Sequence, residues 1–348
     1  MDMLAARLYG KNDLRIEKMP IPNISDGEIL LRVKVASVCG TDLRMYLNGL
    51  DGIDQSNPRV LCHEFAGTIE QLGKNVEHYS VGQRVTIAPN IGCGVCDLCV
   101  SGNSHHCAKL IAIGIHMDGG FAEYVKIPES AVRLGNVVPI ADNVSFEAAA
   151  SNEPLACVYS AFERYGVNPG DNVVIIGAGA IGLMHAKLAK MAGAAKIILS
   201  DLSAERLAES AAIEPSIITV KDNLKARVME ETGGKGADVV ITACSAAAAQ
   251  RESFELAGLD ARVNFFGGLP KGKEMVELNT NIIHYKQLVV SGTTRSTHGH
   301  YRKTLDLIAS GLLDVGLLVT HRHSLNDIQK AFDNAASAIG LKQAIVFP

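Results

Sequence analysis

Four cysteines lie close together in the sequence and are the first candidates for chemistry. They are Cys93, Cys96, Cys99 and Cys107. Four thiolates at this spacing, in a loop that several glycines allow to turn, are typical of a structural zinc site, whose tetrahedral shell is closed. Two disulfides or an iron–sulfur cluster are the alternatives. We expect the neighbouring His105 and His106 to be solvated loop residues rather than ligands.

A second group of candidate ligands is spread over a longer stretch and consists of Cys39, His63 and Glu64. A thiolate, an imidazole and a carboxylate together suit zinc. Taken singly, each residue has a plainer interpretation, as a small buried residue, a hydrogen-bonded core histidine or a surface carboxylate. The three residues therefore indicate a metal site only as a set.

Three glycines have the spacing G-x-G-x-x-G and follow a short apolar run at residues 173–176. They are Gly177, Gly179 and Gly182. The run is typical of a buried parallel strand. The first glycine would allow a tight turn, the second a close approach of backbone to a pyrophosphate, and the third the packing of a helix on the strand. The helix that follows begins near Ala180 and Ile181, whose N–H groups would bind the phosphates.

An acidic residue, Asp201, closes this unit after a second predicted strand at residues 196–200. Its carboxylate could accept a hydrogen bond from a ribose 2′-hydroxyl and would repel a 2′-phosphate, which predicts NAD as the cofactor. Arg206 lies one turn into the next helix. It could stack on the adenine, and a solvated helix face is the alternative.

The elements around these residues divide the chain into two kinds of structure. In the first half, alternating patterns and turn residues predict an irregular antiparallel β domain, with strands at 5–8, 28–36, 66–72 and 84–87. In the second half we predict helices at 224–231, 247–256 and 301–310, and strands at 173–176, 196–200, 216–220, 239–243, 262–266 and 288–291. A doubly wound parallel sheet typically has six strands that alternate with helices, so this pattern predicts such a sheet. A helix at 325–336 and a strand at 342–347 close the chain.

Length and composition exclude several classes of protein. The chain has 348 residues, 47% of them hydrophobic and 20% charged, which predicts about two domains with large cores. The formal charge of −4 and the absence of a basic stripe argue against nucleic acid. Without a secretion signal or an apolar run of about 20 residues, we expect a cytoplasmic protein that does not enter membranes.

The ordered motifs together resemble the zinc-dependent medium-chain dehydrogenase/reductase family. The set comprises Cys39-x-Thr41-Asp42, His63-Glu64, the four-cysteine stretch, Gly119-Gly120-Phe121-Ala122-Glu123-Tyr124, Glu153-Pro154 and the glycine motif. The resemblance extends over residues 3–348, and residues 152–155 are similar to the polyol (sorbitol) dehydrogenase branch. It implies an α/β protein with a GroES-like catalytic domain, residues 1–152 with 293–348, and a six-stranded Rossmann domain at 153–292.

The resemblance also implies roles for individual residues. Cys39, His63 and Glu64 would hold a catalytic zinc ion, with Glu153 as a ligand directly or through water. Thr41 would take the substrate hydroxyl proton and pass it towards the cofactor ribose, while the hydride goes to NAD. Arg295 would contact the substrate. Glu153 could instead be a favourable charge at a helix N-terminus, and Arg295 could belong to a surface or subunit-interface ion pair.

Three residues depart from the family pattern. Cys62 stands where the family usually has glycine, either as an extra thiol near the metal or as a small residue that fits. Arg44 replaces a histidine that ends the proton relay in many relatives. Met45 replaces an aromatic residue of some sorbitol dehydrogenases, so the substrate pocket need not match theirs.

We therefore predict an NAD-dependent polyol dehydrogenase with two zinc ions per chain, acting on a small-molecule substrate as a homo-oligomer, a dimer or a tetramer. A polyol-phosphate dehydrogenase or an L-threonine dehydrogenase is the alternative within the family. A zinc protein that senses NAD without turnover is the alternative outside enzymes.

Overall fold

The computed structural model describes the whole chain, Met1–Pro348, as two compact units. One unit contains Met1–Pro154 and Thr297–Pro348, and the other contains Leu155–Ser296. The chain thus leaves the first unit, forms the second, and returns to the first for its last fifty residues or so.

Eighteen strands form the sheets of the two units. They are β1 (Asp2–Gly10), β2 (Asp13–Pro20), β3 (Ile29–Ser37), β4 (Arg59–Val60), β5 (Phe65–Leu72), β6 (Arg84–Ile87), β7 (Asn90–Ile91), β8 (Ile111–Ala112), β9 (Tyr124–Ile127), β10 (Val137–Pro139), β11 (Asn172–Ile176), β12 (Lys196–Ser200), β13 (Ile218–Val220), β14 (Ala237–Thr242), β15 (Ala257–Phe265), β16 (Val289–Gly292), β17 (Val319–His323) and β18 (Lys342–Val346).

Twelve α-helices accompany these strands. They are α1 (Gly40–Asn48), α2 (Asp97–Val100), α3 (Glu129–Arg133), α4 (Phe146–Ala150), α5 (Asn152–Tyr165), α6 (Ala180–Met191), α7 (Ala204–Ile213), α8 (Leu224–Glu231), α9 (Ala247–Leu256), α10 (Thr280–Lys286), α11 (His298–Ala309) and α12 (Ile328–Ala336). None of them combines the length and the apolar character that a membrane span requires.

The first unit is built around a seven-stranded sheet in the order β10-β6-β5-β3-β18-β17, with β9 also paired to β3. The central strand β3 pairs antiparallel with β5 and with β18. Because β3 pairs with strands on both sides and α4 packs against it, β3 is buried at every position except Arg32 and Lys34, which are half-buried. These two polar residues lie on the same face of the strand, as its alternating sequence predicts.

The second unit contains the predicted parallel sheet. Its strand order is β13-β12-β11-β14-β15-β16, and every pair in it is parallel. This is the doubly wound order, with the change of direction between β11 and β14, where such folds bind their ligands. The fold class predicted from the sequence is confirmed.

Several elements differ from the predicted ones. The strand β2 and the helix α1 have no counterpart in the prediction, because β2 is mostly solvent-exposed and α1 begins at a glycine. The strand β15 starts five residues earlier than predicted, at Ala257, directly after α9 ends at Leu256. The predicted helix at 325–336 starts as a 3-10 turn, Leu325–Asp327, and continues as α12.

Candidate metal centres and nucleotide-binding site

The three scattered candidate ligands come together in the first unit. The ligand atoms of Cys39, His63 and Glu64 all lie within 4.8 Å of one another. Cys39 follows β3 and is the N-cap of α1, whereas His63 and Glu64 directly precede β5. Since β3 and β5 are neighbours in the sheet, their pairing brings the two ligand-bearing turns together. His63 and Glu64 are buried and Cys39 is half-buried. Thiolate, imidazole and carboxylate donors in such a group fit a zinc ion.

Asp42 connects the two turns, a role that the sequence analysis did not assign. Its carboxylate accepts hydrogen bonds from the backbone N–H of Cys39 at 2.9 Å and of Cys62 at 3.2 Å. One of its oxygens also lies 3.8 Å from Nδ1 of His63. Burial raises the pKa of Asp42 to about 6, against the opposing effect of His63. An acidic residue three positions after an N-cap is a capping-box signal that could have identified it.

Lys342 is a second residue that the sequence analysis missed. It is buried at the start of β18, and its ammonium forms an ion pair with Glu64. Burial alone would lower the pKa of Lys342, but the negative charges of Glu64 and Cys39 raise it overall, so the side chain stays charged. No local pattern marks this lysine, because only the pairing of β18 with β3 brings it to the metal group.

Glu153 occupies the second position of α5 and is 6% exposed. Its carboxylate does not belong to the group of atoms that lie within 4.8 Å of one another. It is nevertheless close enough to act on His63. Burial lowers the pKa of His63, whereas the charges of Cys39, Asp42 and Glu153 raise it, and the net pKa lies well above its usual value.

The three departures from the family pattern have different surroundings. Arg44 is exposed, and its Nη2 donates a hydrogen bond to the hydroxyl of Thr41 at 3.0 Å. Met45 is buried in the core of the first unit. Cys62 is buried with a φ of +83°, a backbone region that favours glycine, and its thiol contacts the carbonyl oxygens of Ser37 and Glu64. Its thiol is therefore used in local packing.

The four-cysteine group forms one compact cluster. The sulfurs of Cys93 and Cys99 are 4.0 Å apart and those of Cys96 and Cys107 are 3.8 Å apart. Thiolates about 2.3 Å from one tetrahedral zinc ion would stand about 3.8 Å apart, so the cluster fits a single ion. All four cysteines are free, which removes the disulfide alternative. A Cβ at Gly92 would lie 2.6 Å from the sulfur of Cys99, which explains this glycine.

The histidines beside this cluster differ in part from their prediction. His105 is only 3% exposed and is not a solvated loop residue, so that part of the prediction is wrong. Its ring lies 3.9 Å from the ring of His106, and both belong to a 3-10 turn that packs against the cysteine loop. Neither histidine is part of the cysteine cluster.

The glycine motif lies where β11 ends and α6 begins, within the second unit. Gly177 has a φ of +118°, and a Cβ there would lie 3.0 Å from the backbone of Ala243. A Cβ at Gly182 would lie 1.8 Å from the carbonyl oxygen of Gly177, so only glycine lets the helix pack this closely. No side chain caps the helix at Gly179, which leaves first-turn N–H groups for phosphate oxygens.

Asp201 lies beside this turn. Its two carboxylate oxygens accept hydrogen bonds from the N–H groups of Ala178 at 2.7 Å and Ser203 at 2.8 Å. The side chain of Arg206 extends from α7 towards the glycine turn. A Cβ atom added to Gly179 would lie 3.8 Å from Nη1 of Arg206. The two side chains and the glycine turn thus surround one space at the end of the parallel sheet, as a dinucleotide requires.

Arg295, the predicted substrate residue, follows β16 in the second unit. It is exposed and has a φ of +57°.

Known proteins similar to this chain belong to families that combine a zinc site with a nucleotide-binding site. The "Alcohol dehydrogenase GroES-like domain" family matches residues 25–140, and the "Zinc-binding dehydrogenase" family matches residues 180–310. The chain is 34% identical over 342 residues to L-threonine 3-dehydrogenase of Rhizobium johnstonii, covering 95% of each chain. It is 33% identical to sorbitol dehydrogenase of Bombyx mori, covering 97% of each. A zinc-binding dehydrogenase of Sinorhizobium meliloti, solved with NADP, has 31% identity and a TM-score of 0.89 over all of both chains.

A GroES-like unit with a clustered cysteine, histidine and glutamate, together with a Rossmann unit, defines a zinc-dependent oxidoreductase that uses a nicotinamide dinucleotide. The chain belongs to the zinc-dependent medium-chain dehydrogenase family. It is therefore an enzyme that oxidises CH–OH donors, with zinc and NAD as cofactors, rather than a protein that only senses NAD.

Proposed function

We propose that the enzyme oxidises a secondary hydroxyl of a small polyol to a ketone with NAD as the hydride acceptor. The observation that carries this proposal is the group of the half-buried Cys39 with the buried His63 and Glu64, and the hydroxyl-bearing Thr41 on the adjoining turn of α1. The sorbitol dehydrogenase relative supports a polyol as the substrate.

The residues of the first unit divide the work at the metal group. A zinc ion held by Cys39, His63 and Glu64, with Glu153 as a further carboxylate, would supply Lewis-acid polarisation of the substrate hydroxyl. Thr41 would accept the substrate hydroxyl proton while its own hydroxyl proton passes towards the cofactor ribose. Asp42 holds the two ligand-bearing turns in place, and the burial of His63 and Glu64 limits the access of water and strengthens electrostatic interactions at the group.

The residues of the second unit bind NAD. The turn at Gly177 and Gly179 and the first N–H groups of α6, at Ala180 and Ile181, take the pyrophosphate. Asp201 would accept hydrogen bonds from the ribose hydroxyls, and Arg206 would stack on the adenine. We propose that the second unit, Leu155–Ser296, is the dinucleotide-binding domain and that the first unit, Met1–Pro154 with Thr297–Pro348, is the catalytic domain. These bounds differ by two to four residues from those predicted from the sequence, which are 153–292 and 1–152 with 293–348.

A polyol substrate is favoured by polar groups that a simple alcohol would leave unused. Glu153 places a nearly buried carboxylate close to the metal group, where it acts on His63. Substrate hydroxyls can donate to it, and the guanidinium of Arg295 can read vicinal hydroxyls. The same guanidinium could bind a polyol phosphate, and the L-threonine 3-dehydrogenase relative favours a hydroxy amino acid as the second candidate.

A substrate panel tests this proposal through NADH absorbance. Sorbitol, sorbitol 6-phosphate, L-threonine and 2-butanol should be compared with NAD in wild type and in Arg295→Ala. We expect a polyol to be oxidised far faster than 2-butanol, because a site built for hydroxyls rejects analogues that lack them. Arg295→Ala should lower kcat/KM for the polyol much more than for 2-butanol. A faster reaction with 2-butanol, or an equal loss with both, would contradict the polyol proposal.

We also propose a homo-oligomer formed through β16. This strand is one of the two edge strands of the six-stranded sheet, and its Val289 and Val290 are 57% and 39% exposed. An exposed edge with apolar side chains is a template for pairing with another strand.

All eight cysteines are free, which is consistent with a reducing compartment such as the cytoplasm.

A further inference from the structure

Arg44 is an unneutralised cation at the metal group of the first unit. Its Nη2 is fixed by the hydrogen bond to Thr41 Oγ1 at 3.0 Å, and Thr41 in turn donates its backbone N–H to the sulfur of Cys39 at 3.4 Å. No carboxylate of the chain forms an ion pair with Arg44. A guanidinium has five N–H donors, so most of them remain available to a ligand.

Five of the other eight arginines of this unit form an ion pair with a carboxylate. Arg7 pairs with Glu17 at 2.7 Å, and Arg32 pairs with Glu70 at 3.0 Å. The second cation at the metal group, Lys342, is already paired with Glu64. Arg44 is therefore the cation beside Thr41 that no side chain of the protein neutralises.

The proton chemistry of arginine limits what this residue can do. A guanidinium stays protonated at any pH the protein meets and accepts no hydrogen bond. Arg44 therefore cannot take a proton from Thr41, and it keeps its positive charge next to the oxygen that meets the reacting hydroxyl. The planar fork of donors is suited to a carboxylate or a phosphate, which it can bind through two parallel hydrogen bonds.

We propose that Arg44 determines specificity by binding an anionic group of the substrate, a carboxylate or a phosphate within a few bonds of the reacting carbon. The substrate class is then an anionic polyol, either a sugar acid or a polyol phosphate. This inference rests on the proposed oxidation of a polyol at the same site. The two sources of the anion share one recognition chemistry and are separated by experiment.

The experiment compares three six-carbon ligands of matched skeleton: sorbitol, gluconate and sorbitol 6-phosphate. With the zinc-loaded enzyme, binding of each to the NADH complex is measured by calorimetry, and turnover with NAD is measured by absorbance. Wild type should bind one of the anionic ligands more tightly than sorbitol. Arg44→Gln should lower that affinity roughly ten- to a hundredfold, the range expected for hydrogen bonds to a charged group, with a much smaller loss for sorbitol.

Two further variants sharpen the result. Arg44→Lys keeps the charge but loses the planar fork, so it should retain part of the affinity for the anionic ligand. Arg133→Gln in α3 removes another exposed arginine of the same unit and should leave the preference unchanged. The affinity of wild type for the anionic ligand should also fall with ionic strength.

The proposal is overturned if neither anionic ligand binds more tightly than sorbitol to wild type. It is also overturned if Arg44→Gln weakens all three ligands equally, which would mean that Arg44 only positions Thr41. A loss of NADH affinity with an unchanged ligand preference would assign the guanidinium to the cofactor instead. Binding of gluconate or sorbitol 6-phosphate without turnover of any of the three would contradict the proposed reaction and leave the role of Arg44 supported.

Discussion

The ion pair between Lys342 and Glu64 has both partners almost completely buried, at 6% and 1% side-chain exposure. Removal of one partner from such a pair leaves an uncompensated charge in the interior. We expect Lys342→Met to lower the free energy of unfolding by about 3–5 kcal/mol. Denaturant unfolding of the purified variant measures this change.

A double-mutant cycle provides the control for this prediction. In Glu64→Gln the buried charge is absent, so adding Lys342→Met should cost much less than it does in wild type. If the lysine substitution costs the same in both backgrounds, its effect comes from lost packing and the ion-pair explanation is wrong.

At the scale of a single residue, we propose that the carboxylate of Asp201 sets the preference for NAD over NADP. Hydrogen bonds from Ala178 and Ser203 hold both of its oxygens in place, so a 2′-phosphate would meet a fixed like charge. We expect NAD to be preferred over NADP by on the order of a hundredfold or more in kcat/KM. Asp201→Ser should reduce this preference, mainly by improving the reaction with NADP. Equal kcat/KM values with the two cofactors in wild type would count against this role of Asp201.

At the scale of elements, the two metal groups belong to different kinds of structure. One closes a loop between β7 and β8, whereas the other joins the ends of long paired strands. We predict two zinc ions per chain, with Cys39→Ser and Cys99→Ser each losing one ion in metal analysis. Only Cys99→Ser should lower the thermal unfolding temperature strongly, because a structural ion contributes folding free energy. Wild-type metal content in Cys39→Ser would contradict the catalytic site.

At the scale of the whole molecule, we propose that β16, at an edge of the parallel sheet, forms the interface between subunits. A lysine in the middle of an edge strand opposes pairing with a second strand. We expect Val289→Lys to shift the protein to a smaller species in light scattering coupled to size exclusion. Leu312→Lys changes an equally apolar residue that is 62% exposed outside this edge, and it should leave the mass unchanged. An unaltered mass in Val289→Lys would place the interface elsewhere.

The sequence by itself determined the features that depend on neighbouring residues. The spacing of Gly177, Gly179 and Gly182, the four-cysteine stretch and the alternation of six strands with helices are local patterns. Because each reflects backbone or side-chain geometry within about one turn or strand, they predicted the Rossmann unit, the cysteine cluster and the bounds of α8 and α9 correctly.

Only the tertiary structure decided which distant residues complete the metal group. Lys342 reaches Glu64 because β18 pairs with β3, and Asp42 reaches His63 because β3 also pairs with β5. The burial of His105 depends in the same way on packing of its turn against the cysteine loop. Strand pairing and packing join parts of the chain that are far apart in sequence, so no pattern within one segment records them. The hydrogen bond from Arg44 to Thr41 lies within one helical turn, but that Arg44 has no carboxylate partner depends on the rest of the fold.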